Sequence, residues 1–142
     1  MVDRELIERK LEKMEELLKE LAEVKVNSFK EYSQSVILKR FVERNLELLV
    51  EQMVSVCRHI VARLLEKIPD SYSHCFELLA QKGIIPWENL ETYKKIARFR
   101  NLLVHLYDEV DDAVVYSIYR ERLSDFKLFI TDIRRFLSTL PF

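Results

Sequence analysis

VILKRFVERNLELLVEQMVSVCRHIVARLL, residues 36–65, decides the fold. The segment holds no glycine and no proline. Its apolar residues return at helical spacing, not with the period of two that a half-buried strand shows. Val36, Ile37, Phe41, Leu46, Leu49, Val50, Met53, Val54, Cys57, Ile60, Val61, Leu64 and Leu65 form the stripe. It is wide enough to serve a core on one side and a second subunit on the other.

Working outward, the same period recurs on both sides. Over residues 3–25, Ile7, Leu11, Met14, Leu18 and Leu21 lie on one helix face. Glu16, Lys19 and Glu20 occupy the solvated face. Asn27 and Ser28 break the pattern, and Ser28 with Glu31 reads as a capping box that opens the next helix. That helix runs to about Ile68, with an interruption near Ser33–Ser35, and Pro69 ends it. Asp70 then caps a short helix over 71–82, stopped by Gly83. Pro86 starts a fourth helix over 86–106. Asp111 or Asp112 caps a last one over 112–139, where Arg134 and Arg135 suit the C-terminal dipole. The expectation is an all-α helical bundle of about five helices in a single domain over 1–142.

Composition agrees. One glycine and three prolines among 142 residues are too few turn residues for a strand-and-turn fold. With 49% hydrophobic and 33% charged residues, the chain reads as globular and not disordered. No apolar run reaches the roughly 20 residues that span a membrane. The opening MVDRELIERK is too charged for a signal peptide, so a cytoplasmic location is expected. Cys57 and Cys75 match no zinc spacing and read as buried free thiols. A net charge of −1 excludes a wholly basic surface, so any affinity for phosphate must come from a local cluster.

That cluster lies in RFRNLLVHLYDEVD, residues 98–111. Asn101 and His105 are four apart and share a helix face, with Arg98 on the same face. Arg100 stands about 140° round from His105, within reach of the same region through its long side chain. Ile96, Phe99, Leu102 and Leu103 would anchor the helix, and Lys94, Lys95, Arg98 and Arg100 make a local basic run. Histidine changes charge near neutral pH and can take a proton from a hydroxyl and return it. Arginine presents a fork of donors that matches phosphate. Such a set can cleave RNA with no metal and no cofactor. The ribose 2′-hydroxyl attacks the adjacent phosphate, helped by His105, while Arg100 stabilises the growing charge. A cyclic phosphate results, and DNA is refractory. On residue types alone, the set equally describes an ordinary hydrogen-bonding cluster at a polar helix end. No second ligand at i+4 from His105 points to a metal.

Arg100 to His105, followed by Leu106 and Tyr107, resembles the R-x-x-x-x-H-x-Y signature of HepT-like proteins of the HEPN superfamily. ERNLELLVEQMVSVCRHIV (43–61), SYSHCFELLAQKGIIP (71–86) and FRNLLVHLYDEVDDAVVYSIYRERLSDF (99–126) resemble successive segments of that family, and the likeness covers roughly 28–139. It implies an up-and-down helical core that forms a homodimer, with two copies of the motif lining one cleft. It implies a metal-independent ribonuclease toxin whose antitoxin is an MNT-type nucleotidyltransferase. By position, Arg100 and His105 are the catalytic pair, and Asn101 supports the phosphate. Tyr107 accepts AMP from the partner and the toxin is silenced. Arg98 falls outside the motif and joins it through the helix face alone. Leu106 fills a slot where the family often has a small or polar residue. It would narrow access to Tyr107.

A second reading keeps the fold and removes the chemistry: a HEPN partner subunit that binds a nucleotidyltransferase or a nucleotide without cleaving RNA. A third is a helical adaptor. The remaining polar and aromatic residues read as structural. His59 and His74 are satisfied helix histidines, Tyr116 and Tyr119 pack, and Trp87 is a packing plug.

Overall fold

The computed structural model describes residues 2–103 and 110–141. Among them are seven α-helices and no strand. They are α1 (Arg4–Glu23), α2 (Phe29–Ser33), α3 (Val36–Ile60), α4 (Tyr72–Gln81), α5 (Trp87–Leu103), α6 (Asp112–Glu121) and α7 (Leu123–Ser138). The stripe of α3 explains the architecture. Val42, Leu46, Leu49, Val50, Met53, Val54, Val56, Cys57 and Ile60 are all buried. That width lets α3 pack against every other helix, with α1 lying along it most extensively. Val36 (60% exposed) and Ile37 (82%) stay outside this core.

Side-chain caps set the boundaries. Asp3 accepts from the Leu6 N–H, Ser28 from Glu31, Ser35 from Leu38, and Asp111 from Ala113 and Val114. The Glu31 carboxylate reaches back in turn, accepting the N–H of Asn27, the residue before the cap, at 3.1 Å. The expected interruption at Ser33–Ser35 separates α2 from α3. At the end of α4, Gly83 takes φ +71°. Its N–H donates to Ala80 and that of Ile84 to Leu79, closing a Schellman motif.

Several expectations need correction. The long helix does not run to Pro69. It passes into a π-helical turn over Val61–Leu65, and Glu66 in the left-handed region (φ 51°) ends it. Ser71, not Asp70, caps α4, accepting the His74 N–H at 3.0 Å. The last helix is two: Arg122 (φ −120°, ψ 6°) breaks it, so α6 packs on α2 and α3 while α7 packs on α1, α3 and α5. The apolar period survives the break, from Val115 and Tyr119 to Phe126, Phe129, Ile130 and Ile133, which hides it from a sequence reading. Trp87 is no plug, being 61% exposed at the start of α5.

Arg134 does not serve the α7 terminus. It bridges Glu8 at 3.2 Å and Glu15 at 2.7 Å on α1. Arg135 pairs with Asp132 on its own helix. Tyr119 is buried as expected and donates to the Val24 carbonyl at 3.0 Å, and Tyr116 packs against Phe29 and Tyr32. No helix among the described residues is long and apolar enough to cross a membrane.

Candidate active site

Helix α5 carries the motif, so what fixes α5 fixes the site. Its buried side is Tyr93, Ile96, Ala97 and Phe99. The Tyr93 ring meets Phe129 edge-on at 5.3 Å and Phe76 at 6.0 Å. Its hydroxyl donates to the buried Asp132 carboxylate on α7, which also accepts from Asn89 at 2.9 Å. Burial, and then the bond to Asp132, push the Tyr93 pKa far above that of a free phenol, so it remains a protonated donor. On the other side, Lys94 pairs with Glu77 of α4 at 2.7 Å. Of the expected apolar anchors, Ile96 and Phe99 are buried while Leu102 is half exposed.

The motif residues within the described chain divide between two adjoining hollows. One, about 410 Å³, is lined by Arg58, Pro69, Asp70, Ser71, Tyr72, Ser73, Ala97, Arg98 and Asn101. The other, about 280 Å³, is lined by Glu51, Val54, Ser55, Arg58, Tyr72 and Arg100. Arg98 and Asn101 therefore share a face as expected, while Arg100 faces the neighbouring hollow. Arg58 and Tyr72 line both and form the wall between them. His105 and Tyr107 lie outside the described residues, as does Leu106.

The charges differ in availability. Arg98 is engaged with Glu91 at 2.8 Å, and its guanidinium holds the Glu91 carboxyl below its ordinary range. Arg100 has no carboxylate within ion-pair distance among the described residues. Instead its guanidinium stands over the Tyr72 ring, 5.1 Å from the centroid. Arg58 is exposed and likewise unpaired among the described residues. Glu51 and Asp70 supply the carboxylates of the walls.

Behind this wall the scaffold is apolar. Cys57, beside Arg58 on α3, and Cys75, three residues after Tyr72 on α4, are buried free thiols as expected. Burial above all, and then the neighbouring Cys75 thiol, pushes the Cys57 thiol well up, so it stays neutral. His59 and His74 are satisfied structural groups, accepting the N–H of Asp3 at 3.1 Å and of Asp70 at 3.0 Å. No group of three His, Cys, Asp or Glu among the described residues is arranged to hold a metal ion.

Arg58 and Tyr72 were not singled out by the sequence reading. Arg58, with His59, interrupts the apolar run Met53–Val61, which was the available sign. Tyr72 gave none, because its contact with Arg100 arises only when α4 packs on α5.

A family model described as ribonuclease HepT-like matches residues 7–133. The chain belongs to the HepT-like family. Among its relatives, a tRNA nuclease HepT of Aphanizomenon flos-aquae is 30% identical over 138 residues, covering 95% of this chain and 92% of that protein. An mRNA nuclease HepT of Shewanella oneidensis is 31% identical over 104 residues, 73% of this chain and 78% of the relative. A putative RNase of Archaeoglobus fulgidus is 34% identical over 114 residues, 80% and 82% respectively. In three dimensions, the HepT-like chain is similar to a tri-AMPylated HEPN toxin of Shewanella oneidensis solved in complex with its MNT antitoxin. The TM-score is 0.83 and the identity 27%, over 94% of this chain and 99% of that one. Its all-α bundle is therefore the HEPN fold.

Proposed function

We propose that this chain is a metal-independent endoribonuclease, the toxin of a HEPN/MNT toxin–antitoxin pair acting in the cytoplasm. His105 takes the proton of a ribose 2′-hydroxyl as that oxygen attacks the neighbouring phosphorus. Arg100 stabilises the charge on the non-bridging phosphate oxygens, and Asn101 orients the phosphate. The leaving 5′-oxygen takes a proton back, and a 2′,3′-cyclic phosphate remains. Arg98 supports the strand from the adjoining hollow, although its pairing with Glu91 weakens that role. The observation that carries this reading is Arg100: a guanidinium without a carboxylate partner among the described residues, seated on Tyr72, five positions before His105. The names of the curated relatives, all nucleases, support it.

The partner is an MNT-type nucleotidyltransferase that transfers AMP to Tyr107. Support comes from the AMPylated toxin and the toxin–antitoxin complex with AMP-PNP among the similar structures. The exposed apolar pair Val36 and Ile37 supports a homodimer, since a second copy can cover it. Light scattering of the purified chain tests that part.

The deciding experiment incubates unmodified protein, its mass verified, with cellular RNA and a chelator, beside His105→Ala and Arg100→Ala. Cleavage by the native chain alone, leaving cyclic-phosphate ends, is expected. No cleavage, or equal cleavage by all three, would establish the non-catalytic partner subunit instead.

A further inference from the structure

Ribonuclease cleavage engages one phosphate, yet a bound strand presents several. Arg58 is a second exposed cation beside the motif helix. It projects from α3, not from the motif helix, and lines both hollows beside Tyr72. Of the three arginines that line these hollows, Arg98 is tied to Glu91, which leaves Arg100 and Arg58 as the cations open to an anion among the described residues. The two reach the wall from opposite helices and share Tyr72. Its ring carries Arg100 on one hollow and lines the other, where Arg98 and Asn101 lie. The base of Arg58 is held by packing: Cys57 and Val56 before it and Ile60 after it are fully buried. An arginine held at its root, exposed at its tip and without a carboxylate partner among the described residues can dock a phosphodiester.

We propose that Arg58 binds the RNA phosphate next to the scissile one, so that the strand crosses the Arg58–Tyr72 wall from one hollow into the other. Glu51 in one hollow and Asp70 in the other would repel the backbone and favour a path along the arginines. The assignment rests on the ribonuclease reading above. It makes Arg58 a binding residue and leaves proton transfer to His105.

Steady-state cleavage of a short single-stranded RNA is measured for the native chain, Arg58→Gln, Arg58→Lys and Arg100→Ala over a range of salt. Arg58→Gln is expected to raise KM about tenfold, with kcat changed less than about threefold. The slope of log affinity against log salt should become shallower by about 0.7, the value for one phosphate contact on a single strand. Arg58→Lys should restore most of the affinity and the slope. Unchanged KM and slope in Arg58→Gln would overturn the proposal, as would a fall in kcat alone. Arg58→Gln and Arg58→Lys on a His105→Ala background, titrated against fluorescent RNA by anisotropy, read binding without turnover. If the native chain fails to cleave, the ribonuclease reading falls. Weaker binding in Arg58→Gln there would still uphold the phosphate contact, and equal binding would overturn it. Matching melting temperatures of the variants exclude a folding defect.

Discussion

The Arg100 guanidinium stands 5.1 Å from the centroid of the Tyr72 ring, joining the end of α5 to the start of α4. The face of the ring attracts the cation but offers it no counter-charge to bind, so Arg100 is positioned and still available to phosphate. Tyr72→Leu should therefore lower kcat/KM by about five- to tenfold, corresponding to roughly 1–1.4 kcal/mol of cation–π attraction at a partly desolvated site. Tyr72→Phe, which keeps the ring, should stay within about twofold of native. Equal rates for the Leu and native proteins would sink the idea.

Asp132 is buried to 2% exposure and satisfied by three neighbours, the Tyr93 hydroxyl, Asn89 at 2.9 Å and Arg135 at 3.3 Å. Asp132→Ala would strand the Tyr93 hydroxyl in the apolar layer between α5 and α7. A cost of about 2–3 kcal/mol is expected, since an orphaned buried donor costs its full desolvation. For a chain of this size that is a fall of about 5–10 °C in Tm. Tyr93→Phe removes the donor together with the need for it and should cost less. Calorimetry separates the two variants; identical losses would contradict the argument.

On the opposite side of the bundle, Arg134 gathers Glu8 and Glu15 and ties α7 to α1. The Arg134 hydrogen bond, as the leading cause, holds the Glu15 carboxyl below its ordinary value of 4.5. A carboxylate with a depressed folded pKa contributes stability that is complete above its unfolded pKa. That stability is lost as pH falls through the lower folded value. All three side chains are a third to a half exposed, so screening limits the contribution to about 0.5–1 kcal/mol. Arg134→Ala should thus be slightly less stable than native at pH 7. The difference should close as pH drops below 4.5 and shrink in high salt. Urea titrations at pH 7 and pH 3 check this. A gap that widened in acid would refute it.

The helices were legible where apolar period and caps coincide, as at Ser28, Asp111 and Gly83. They were illegible where the period continues across a backbone break. Arg122 divides α6 from α7 without disturbing the stripe, and the π turn after Ile60 inserts no residue type that marks it. Trp87 misled for another reason: a large apolar side chain names no partner, and here it remains at the surface. At the candidate site, Arg100 and Asn101 could be singled out from the sequence because the motif is local. Arg58 and Tyr72 come from other helices, and only packing of α3, α4 and α5 brings them to Arg100.

The proposed silencing reaction makes a prediction that depends on charge. A nucleotide on Tyr107 would carry one phosphodiester anion, two positions beyond His105 in the chain. Arg100 and Arg58, without carboxylate partners among the described residues, would attract it, so it would compete with RNA for the same guanidinium groups. Tyr107→Phe cannot accept AMP and has lost only a hydroxyl. It should cleave RNA at about the native rate, and cleavage should persist after incubation with a cognate MNT-type nucleotidyltransferase and ATP. The native chain should lose activity in that incubation and gain the mass of the adduct. Loss of activity without added mass would show that the partner silences by docking alone. Silencing of Tyr107→Phe with added mass would move the acceptor to another residue.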